Sequence, residues 1–261
     1  MSIPGPIGVF DSGLGGLSVL HEIRRTLPRA ELIYCADHAF LPYGERPPAQ
    51  VRARALAIGA AFRQAGACAI VIACNTATAA AAEALRARIA LPIVGMEPAV
   101  KPATAATRAG VVGVLGTGGT LQSARFAALL ERFAGNVRVV TRPAPELVAA
   151  VERGEAGAPV GAAVRPLVGA GADVIVLGCT HFPFLRAEIA TAAGPDVRLI
   201  ETGPAVARRL AALLPPGRAR GAAGVRFWTT GDPALIRPAL ERLWGASAAV
   251  APAPVASLEV E

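Results

Sequence analysis

The stretch Ala69–Thr78, AIVIACNTAT, determines how the rest of the chain is interpreted. Ile70–Ala73 is an unbroken apolar run, short enough for a strand that is buried on both faces. Cys74 stands where this strand ends, and the polar residues Asn75 and Thr76 then begin an Ala-rich helix. Ligands of open α/β sheets bind beyond the carboxyl ends of the strands, and a helix N-terminus favours negative charge. Cys74 is therefore a candidate functional thiol.

The same construction recurs 105 positions later. Val174–Leu177 is again a buried strand, and the residues Cys-Thr-His at 179–181 come after it. The same shift maps the opening strand and turn, residues 8–13, onto residues 113–118. This period is too long for a solenoid. The repeat predicts an α/β fold of two similar lobes with mainly parallel sheets.

The repeat also predicts the domain boundaries. We expect residues 1–98 and 205–245 to form the first lobe, because the last predicted strand–helix pair has no counterpart in the second lobe, residues 99–204. Residues 215–224 are rich in Pro, Gly and Arg and read as a linker. Residues 246–261 lack the periodicity of a regular element, so we expect a disordered tail there.

Composition restricts the class of protein. The chain has 261 residues, 53% of them hydrophobic and 17% charged, which is typical of a globular protein with one large core or two smaller ones. No signal-like apolar segment precedes the first strand, and no apolar run is long enough to span a bilayer, so we expect a cytoplasmic protein without a membrane partner. The four cysteines are not closely spaced, which predicts reduced thiols. His38 lies three residues after Cys35, but no second ligand pair could complete a zinc site, so no metal is expected.

The basic residues raise two further alternatives, a nucleic-acid partner and a pyridoxal-phosphate cofactor. The net charge of +7 would suit nucleic acid, but the arginines are spread over predicted helix faces without interleaved aromatic residues, so we expect no nucleic-acid partner. A pyridoxal-phosphate enzyme needs a Schiff-base lysine. Lys101 is the only lysine, and it precedes Pro102 with no phosphate-binding loop nearby. We therefore expect no such cofactor.

A Gly-rich turn, Ser12–Gly16, comes after the opening strand Ile7–Asp11. It lacks the third glycine of the dinucleotide fingerprint, and Asp37 is the only acidic residue near the expected spacing. Such a turn can also bring backbone N–H groups to a small anionic ligand at a helix N-terminus. Asp11 is either a cap of this turn or a group that points into the same cleft as Cys74.

An ordered set of motifs covers nearly the whole chain apart from the tail. The motifs are IGVFDSGLGGLSVL, YCADHAFLPYGER, VIACNTATA, GVLGTGGTLQS, VLGCTHFPFL and WTTGDP. Together they resemble the aspartate/glutamate racemase family, and its glutamate racemases in particular. The resemblance implies two pseudo-symmetric α/β lobes with the active site in the cleft between them. It also implies a cofactor-independent enzyme that interconverts L- and D-glutamate and supplies D-glutamate for peptidoglycan synthesis. We also expect a homodimer.

The resemblance further implies which residues act. Cys74 and Cys179 would be the catalytic thiols, assisted by Asp11, His181 and Glu152, although Glu152 could equally be a solvated charge at a helix end. The expected substrate contacts are Asp11, Ser12, Tyr43, Gly44, Asn75, Thr76, Thr117, Thr180 and His181.

Racemisation gives a chemical reason for two cysteines. A proton leaves one face of the α-carbon and another arrives at the opposite face, so two acid–base groups are needed. One must be a thiolate and the other a thiol, although a cysteine thiol has an unperturbed pKa of about 8.5. Asp11 beside Cys74 and His181 beside Cys179 are the available proton partners. An aspartate or hydantoin racemase, or a decarboxylase of the same fold, stays open, whereas a non-catalytic binding protein would not need two opposed thiols.

Overall fold

The computed structural model describes residues 5–214 and 223–255. The strands in these ranges are β1 (Ile7–Asp11), β2 (Leu32–Ala36), β3 (Ala69–Ile72), β4 (Ile93–Val94), β5 (Val111–Gly116), β6 (Arg138–Pro143), β7 (Val174–Leu177), β8 (Arg198–Glu201), β9 (Val225–Thr229) and β10 (Val250–Pro252). The α-helices are α1 (Leu17–Thr26), α2 (Pro48–Gln64), α3 (Asn75–Arg88), α4 (Val100–Ala106), α5 (Gly118–Leu121), α6 (Ala124–Phe133), α7 (Pro145–Arg153), α8 (Val160–Gly169), α9 (Arg186–Ala193), α10 (Gly203–Leu213) and α11 (Pro233–Trp244). Short 3-10 helices lie at His38–Phe40, Tyr43–Glu45 and Phe182–Leu185.

The chain divides into two compact units. Among the described residues, unit 1 combines residues 5–96 with residues 203–214 and 223–255, and unit 2 is the continuous segment 97–202. The chain therefore leaves unit 1 after Met96 and returns to it at Gly203, in each case two residues before the boundary expected from the sequence, which places the exit after residue 98 and the return at residue 205.

The sheet of unit 1 has the strand order β10-β9-β2-β1-β3-β4, and neighbouring strands run parallel. Every residue of β1, β2 and β3 is buried, as expected for strands that are covered on both faces. One side of the sheet packs Phe10, Ile70 and Ile72 against Phe62 of α2. This core fixes the carboxyl ends of β1 and β3 side by side.

The sheet of unit 2 has the order β6-β5-β7-β8, again with parallel neighbours. Along β7, Ile175 and Leu177 join one hydrophobic cluster, whereas Val174 and Val176 join another. Alternate residues of a strand point to opposite faces, so both faces of this sheet are covered. The order repeats β2-β1-β3-β4 of unit 1, and the predicted α/β class with mainly parallel sheets is confirmed.

The expectation of a tail without regular structure is wrong for Val250–Pro252. This segment forms β10, which pairs with β9 in parallel, and the Ala253 N–H donates to the Thr229 carbonyl at 2.7 Å. A three-residue strand at a sheet edge can contain proline and shows little periodicity, which explains the error. The rest of the expected tail from residue 256, and most of the expected linker, residues 215–222, lie outside the described residues.

No helix in the described ranges is both long enough and apolar enough to cross a membrane.

Candidate active site

Cys74 lies just beyond the carboxyl end of β3 and is the N-cap of α3. Its backbone is extended, and its Sγ accepts a hydrogen bond from the Ala77 N–H at 3.4 Å. The side chain is largely buried, with 6% of the residue exposed. Because the N-terminus of a helix carries partial positive charge, this position favours the thiolate form of Cys74.

Asp11 ends β1, the strand next to β3, and its carboxylate is held by the Gly-rich turn. Oδ1 accepts from the Ser12 N–H at 2.7 Å, and Oδ2 accepts from the Gly16 N–H at 2.6 Å. A Cβ at position 16 would lie only 2.7 Å from the Asp11 Cβ, so the turn requires glycine there. Asp11 therefore caps the turn, while its backbone lies at the strand end adjacent to that of β3.

Asn75 and Thr76 occupy the first turn of α3 and are both buried. Neither Oδ1 nor Nδ2 of Asn75 has a hydrogen-bond partner among residues 5–214 and 223–255. An unsatisfied buried polar group costs about 1–3 kcal/mol, and such groups are rare in folded proteins. The amide of Asn75 is therefore well placed to serve a ligand.

Tyr43 lies in the second 3-10 helix and is 2% exposed, whereas Gly44 is half-buried. The Tyr43 hydroxyl donates to Oδ2 of Asp37 at 2.5 Å. Burial, the charge of Asp37 and its hydrogen bond, and the charge of Cys74 all raise the pKa of Tyr43. Tyr43 is therefore a neutral phenol within electrostatic reach of Cys74.

Cys179 comes after β7 in unit 2, as Cys74 comes after β3 in unit 1. Between strand and cysteine, the Gly178 N–H donates to the Leu115 carbonyl at 2.7 Å, and a Cβ at position 178 would lie 2.6 Å from that oxygen. Thr117 comes after the neighbouring strand β5 and caps α5, with its Oγ1 accepting from the Thr120 N–H at 3.3 Å. Thr117 and Cys179 thus lie at adjacent strand ends.

His181 connects Cys179 to Glu152. Its Nε2–H donates to Oε1 of Glu152 at 2.6 Å, while Nδ1 lies 3.5 Å from the Cys179 Sγ and 3.5 Å from Oγ1 of Thr180. His181 is 2% exposed and Glu152 9%, so Glu152 is not a solvated charge at a helix end. Burial alone would lower the pKa of His181, but the hydrogen bonds to Cys179 and Glu152, together with their charges, raise it well above its ordinary value.

The two cysteines differ in the local structure on their C-terminal side. An α-helix begins directly after Cys74, whereas the residues after Cys179 form a 3-10 helix at Phe182–Leu185 before α9. Cys74 therefore has a helix N-terminus, and Cys179 has the imidazole of His181 instead. The repeated sequence motif alone did not reveal this difference.

The structural role of Asp37 was not visible in the sequence, where this residue stands out only as an acid near the spacing of the dinucleotide fingerprint. Asp37 is fully buried and forms an ion pair with Arg54, which is 4% exposed. Its position directly after β2, the strand next to β1, is the signal that could have found it.

Among the described residues, no group of three or more His, Cys, Asp or Glu side chains could hold a metal ion. Each of the four cysteines is a thiol rather than half of a disulfide.

Comparison with known proteins gives consistent results. The model of the Asp/Glu/Hydantoin racemase family matches residues 7–210. A glutamate racemase from Pseudomonas putida is 54% identical over 248 residues, which cover 92% of this chain and 94% of that protein. The crystal structure of Escherichia coli glutamate racemase with L-glutamate and an activator is 34% identical, with a TM-score of 0.87 and coverage of 97% of this chain and 100% of that one. A glutamate racemase from Bacillus anthracis is 33% identical, with a TM-score of 0.86 and coverage of 98% and 99%.

Proposed function

We propose that this chain, which belongs to the Asp/Glu/Hydantoin racemase family, is a glutamate racemase that interconverts L- and D-glutamate without a cofactor. The proposal rests mainly on the arrangement that recurs at the ends of β3 and β7. In each unit a buried cysteine comes after the equivalent strand, and buried polar side chains surround it. The names of the similar proteins indicate glutamate as the substrate.

The proposed reaction uses Cys74 and Cys179 as two bases. The thiolate of one removes the proton from the α-carbon of glutamate, and the thiol of the other donates a proton to the opposite face. The first cysteine ends as a thiol and the second as a thiolate, so the enzyme is ready for the reverse reaction. The proposal requires each thiol to reach one face of the same carbon.

On the Cys74 side, the N-terminus of α3 supports the thiolate, and Asp11 is proposed as its proton partner. The amide of Asn75 can both donate to a carboxylate and accept from an ammonium group. The other proposed substrate contacts in this unit are Asp11, Ser12, Tyr43, Gly44 and Thr76.

On the Cys179 side, the protonated imidazole of His181 can return a proton to the thiolate. Glu152 stabilises that protonated form through its bond to Nε2, in the way that a carboxylate orients a catalytic histidine. Thr117 and Thr180 are the proposed substrate contacts, together with His181 itself.

We further propose that the enzyme works as a homodimer in the cytoplasm and supplies D-glutamate for peptidoglycan. Reduced thiols suit a reducing compartment. Light scattering after size-exclusion chromatography would give the oligomeric state.

The decisive experiment monitors the α-proton of the substrate. Purified protein is incubated in deuterated water with L-glutamate, and separately with L-aspartate and a 5-substituted hydantoin, without added cofactor. We expect the α-proton signal and the optical rotation to decay for glutamate alone. Turnover of aspartate or hydantoin in preference to glutamate would contradict the proposed substrate, and turnover of none of them would contradict the proposed activity.

A further inference from the structure

The carboxylate of Asp37 accepts four hydrogen bonds from side chains, two at each oxygen. Its Oδ1 accepts from Nη2 of Arg54 at 2.6 Å and from the Thr230 hydroxyl at 2.7 Å. Its Oδ2 accepts from Nε of Arg54 at 3.0 Å and from the Tyr43 hydroxyl at 2.5 Å. A carboxylate offers about four lone-pair sites, and here all of them are used. Asp37 therefore has no acceptor capacity left for a substrate and is poorly suited to act as a base.

The same group holds the segment of residues 38–46, which we call the Tyr43 loop. The Ala39 N–H donates to Oγ1 of Thr230 at 3.2 Å. The guanidinium carbon of Arg54 lies 4.0 Å from the centroid of the Phe40 ring. Arg46 packs on the same ring at 5.4 Å, and its Nε donates to the Phe40 carbonyl at 2.6 Å. The loop is thus bound at its start, its middle and its end.

The anchors of the loop come from distant parts of unit 1. Arg54 belongs to α2, and Thr230 comes after β9, which the chain forms only after it has returned from unit 2. The returning segment therefore contributes a side chain to the support of a loop near Cys74.

We propose that Arg54 and Thr230, acting through Asp37, are positioning residues that hold the Tyr43 loop in the conformation that binds substrate. The inference rests on the proposed function, in which Tyr43 and Gly44 contact glutamate. Since all of its acceptor sites are occupied, Asp37 aligns the phenol of Tyr43 and takes no part in proton transfer.

The test uses variants of Thr230 in the full-length protein. Thr230→Val keeps the shape of the side chain but removes its bonds to Asp37 and Ala39, whereas Thr230→Ser keeps the hydroxyl. We expect KM for L-glutamate to rise about 10-fold in Thr230→Val with kcat changed less than about 3-fold, because a lost binding contact acts mainly on KM. Thr230→Ser should keep KM for L-glutamate close to the value of the parent protein. Arg54→Lys should raise KM as well, because lysine cannot make the bidentate bond to Asp37.

Amide hydrogen exchange provides a second measurement that does not depend on catalysis. Residues 38–46 should exchange faster in Thr230→Val than in the parent protein. The matched control is Thr191→Val on the exposed face of α9, which also loses a hydroxyl but lies in unit 2. It should change neither KM nor the exchange of this loop.

The outcomes separate the two proposals. A parent protein that does not racemise glutamate would contradict the proposed function, while the exchange rates would still report whether Thr230 holds the loop. In an active parent protein, unchanged KM and unchanged exchange in Thr230→Val would overturn the positioning role. A large fall in kcat with unchanged KM would also overturn it, because Asp37 would then take part in the chemistry.

Discussion

Asn75 is buried at the start of α3, yet its amide has no hydrogen-bond partner in the part of the chain that the structure describes. In the protein alone such a group is destabilising, whereas a bond to a charged substrate is worth about 1.5–3 kcal/mol. We expect Asn75→Leu to raise KM for glutamate by about 10- to 100-fold and to leave the melting temperature unchanged or higher. Steady-state kinetics and thermal unfolding measure the two effects.

A control for this variant is Asn136→Ala, which alters an exposed asparagine in unit 2 and should leave KM unchanged. A marked fall in the melting temperature of Asn75→Leu, with KM unaffected, would show that Asn75 serves the fold rather than the substrate.

Glu152 supports the charged form of His181, so its removal should change the pH dependence of the protein. The pKa of His181 is raised in the fold, which means that its ion pair stabilises fully below about pH 6.5 and loses this effect as pH rises through the raised pKa. In Glu152→Gln, unfolding experiments should therefore show the largest loss of stability at acidic pH and a smaller loss at alkaline pH.

The same substitution should reduce kcat by about 10- to 100-fold, within the range that general acid–base groups contribute. The pH at which activity falls on the alkaline side should move to lower values, because His181 loses its proton more easily without the carboxylate. Glu155→Gln, which removes an exposed carboxylate from the same region, is the control. An unchanged pH profile in Glu152→Gln would mean that the imidazole is not the proton partner of Cys179.

At the scale of residues, the sequence predicted those candidate site residues that lie next to each other along the chain. The two cysteines and the polar residues beside them are visible because each comes directly after an apolar strand. The bond between His181 and Glu152, by contrast, joins residues that are 29 positions apart. The bond between Thr230 and Asp37 spans 193 positions, and only the folded chain brings these side chains together.

At the scale of elements, the turn between β1 and α1 depends on close packing at Gly16. A Cβ there would lie 2.7 Å from the Asp11 Cβ, 3.0 Å from the Tyr34 hydroxyl and 3.1 Å from the Ala73 Cβ. We expect Gly16→Ala to displace Asp11 and to lower kcat/KM by at least about 10-fold, since overpacking of this kind typically costs about 1–3 kcal/mol. Kinetics and thermal unfolding would be measured together.

The control for Gly16→Ala is Gly169→Ala at the end of α8, where an added Cβ would meet nothing within 4 Å. It should stabilise the protein slightly, because alanine is the better helix former, by up to about 1 kcal/mol. Full activity in Gly16→Ala would show that the turn tolerates a shift of Asp11.

The central strands could be predicted from the sequence, but the edge strands β8 and β10 could not. β1, β3, β5 and β7 are apolar runs buried on both faces, and this pattern is distinct. β8, Arg198–Glu201, pairs with β7 alone and carries a charged residue at each end, so it resembles a loop in sequence. Edge strands are half-solvated, and their composition therefore carries a weaker signal.

At the scale of the whole molecule, the duplication explains why two thiols exist. The order β2-β1-β3-β4 recurs as β6-β5-β7-β8, and Gly8 and Gly113 occupy equivalent positions beneath α2 and α8. A Cβ at Gly8 would collide with Phe62, and one at Gly113 would crowd Leu167. The strand order and the close packing of helix on strand are thus repeated, whereas the side chains that support each thiol are not.

This difference predicts distinct roles for the two cysteines. Either Cys74→Ser or Cys179→Ser should reduce racemisation by at least about 100-fold, because a hydroxyl is too weakly acidic to replace the thiolate. Elimination of HCl from a β-chloro glutamate analogue needs a base on only one face of the α-carbon. The thiolate takes the α-proton, and chloride leaves from the β-carbon.

By resemblance to the family, Cys74 should act on D-glutamate and Cys179 on L-glutamate. We therefore expect Cys74→Ser to retain elimination from the L analogue and Cys179→Ser to retain it from the D analogue, as measured by chloride release. Cys68→Ser, which changes a thiol outside the two strand ends, is the control and should leave both reactions intact. Near-normal racemisation in either active-site variant would contradict the two-base scheme, whereas the opposite handedness would reverse only the assignment of faces, because each remaining thiol would still serve one side of the carbon.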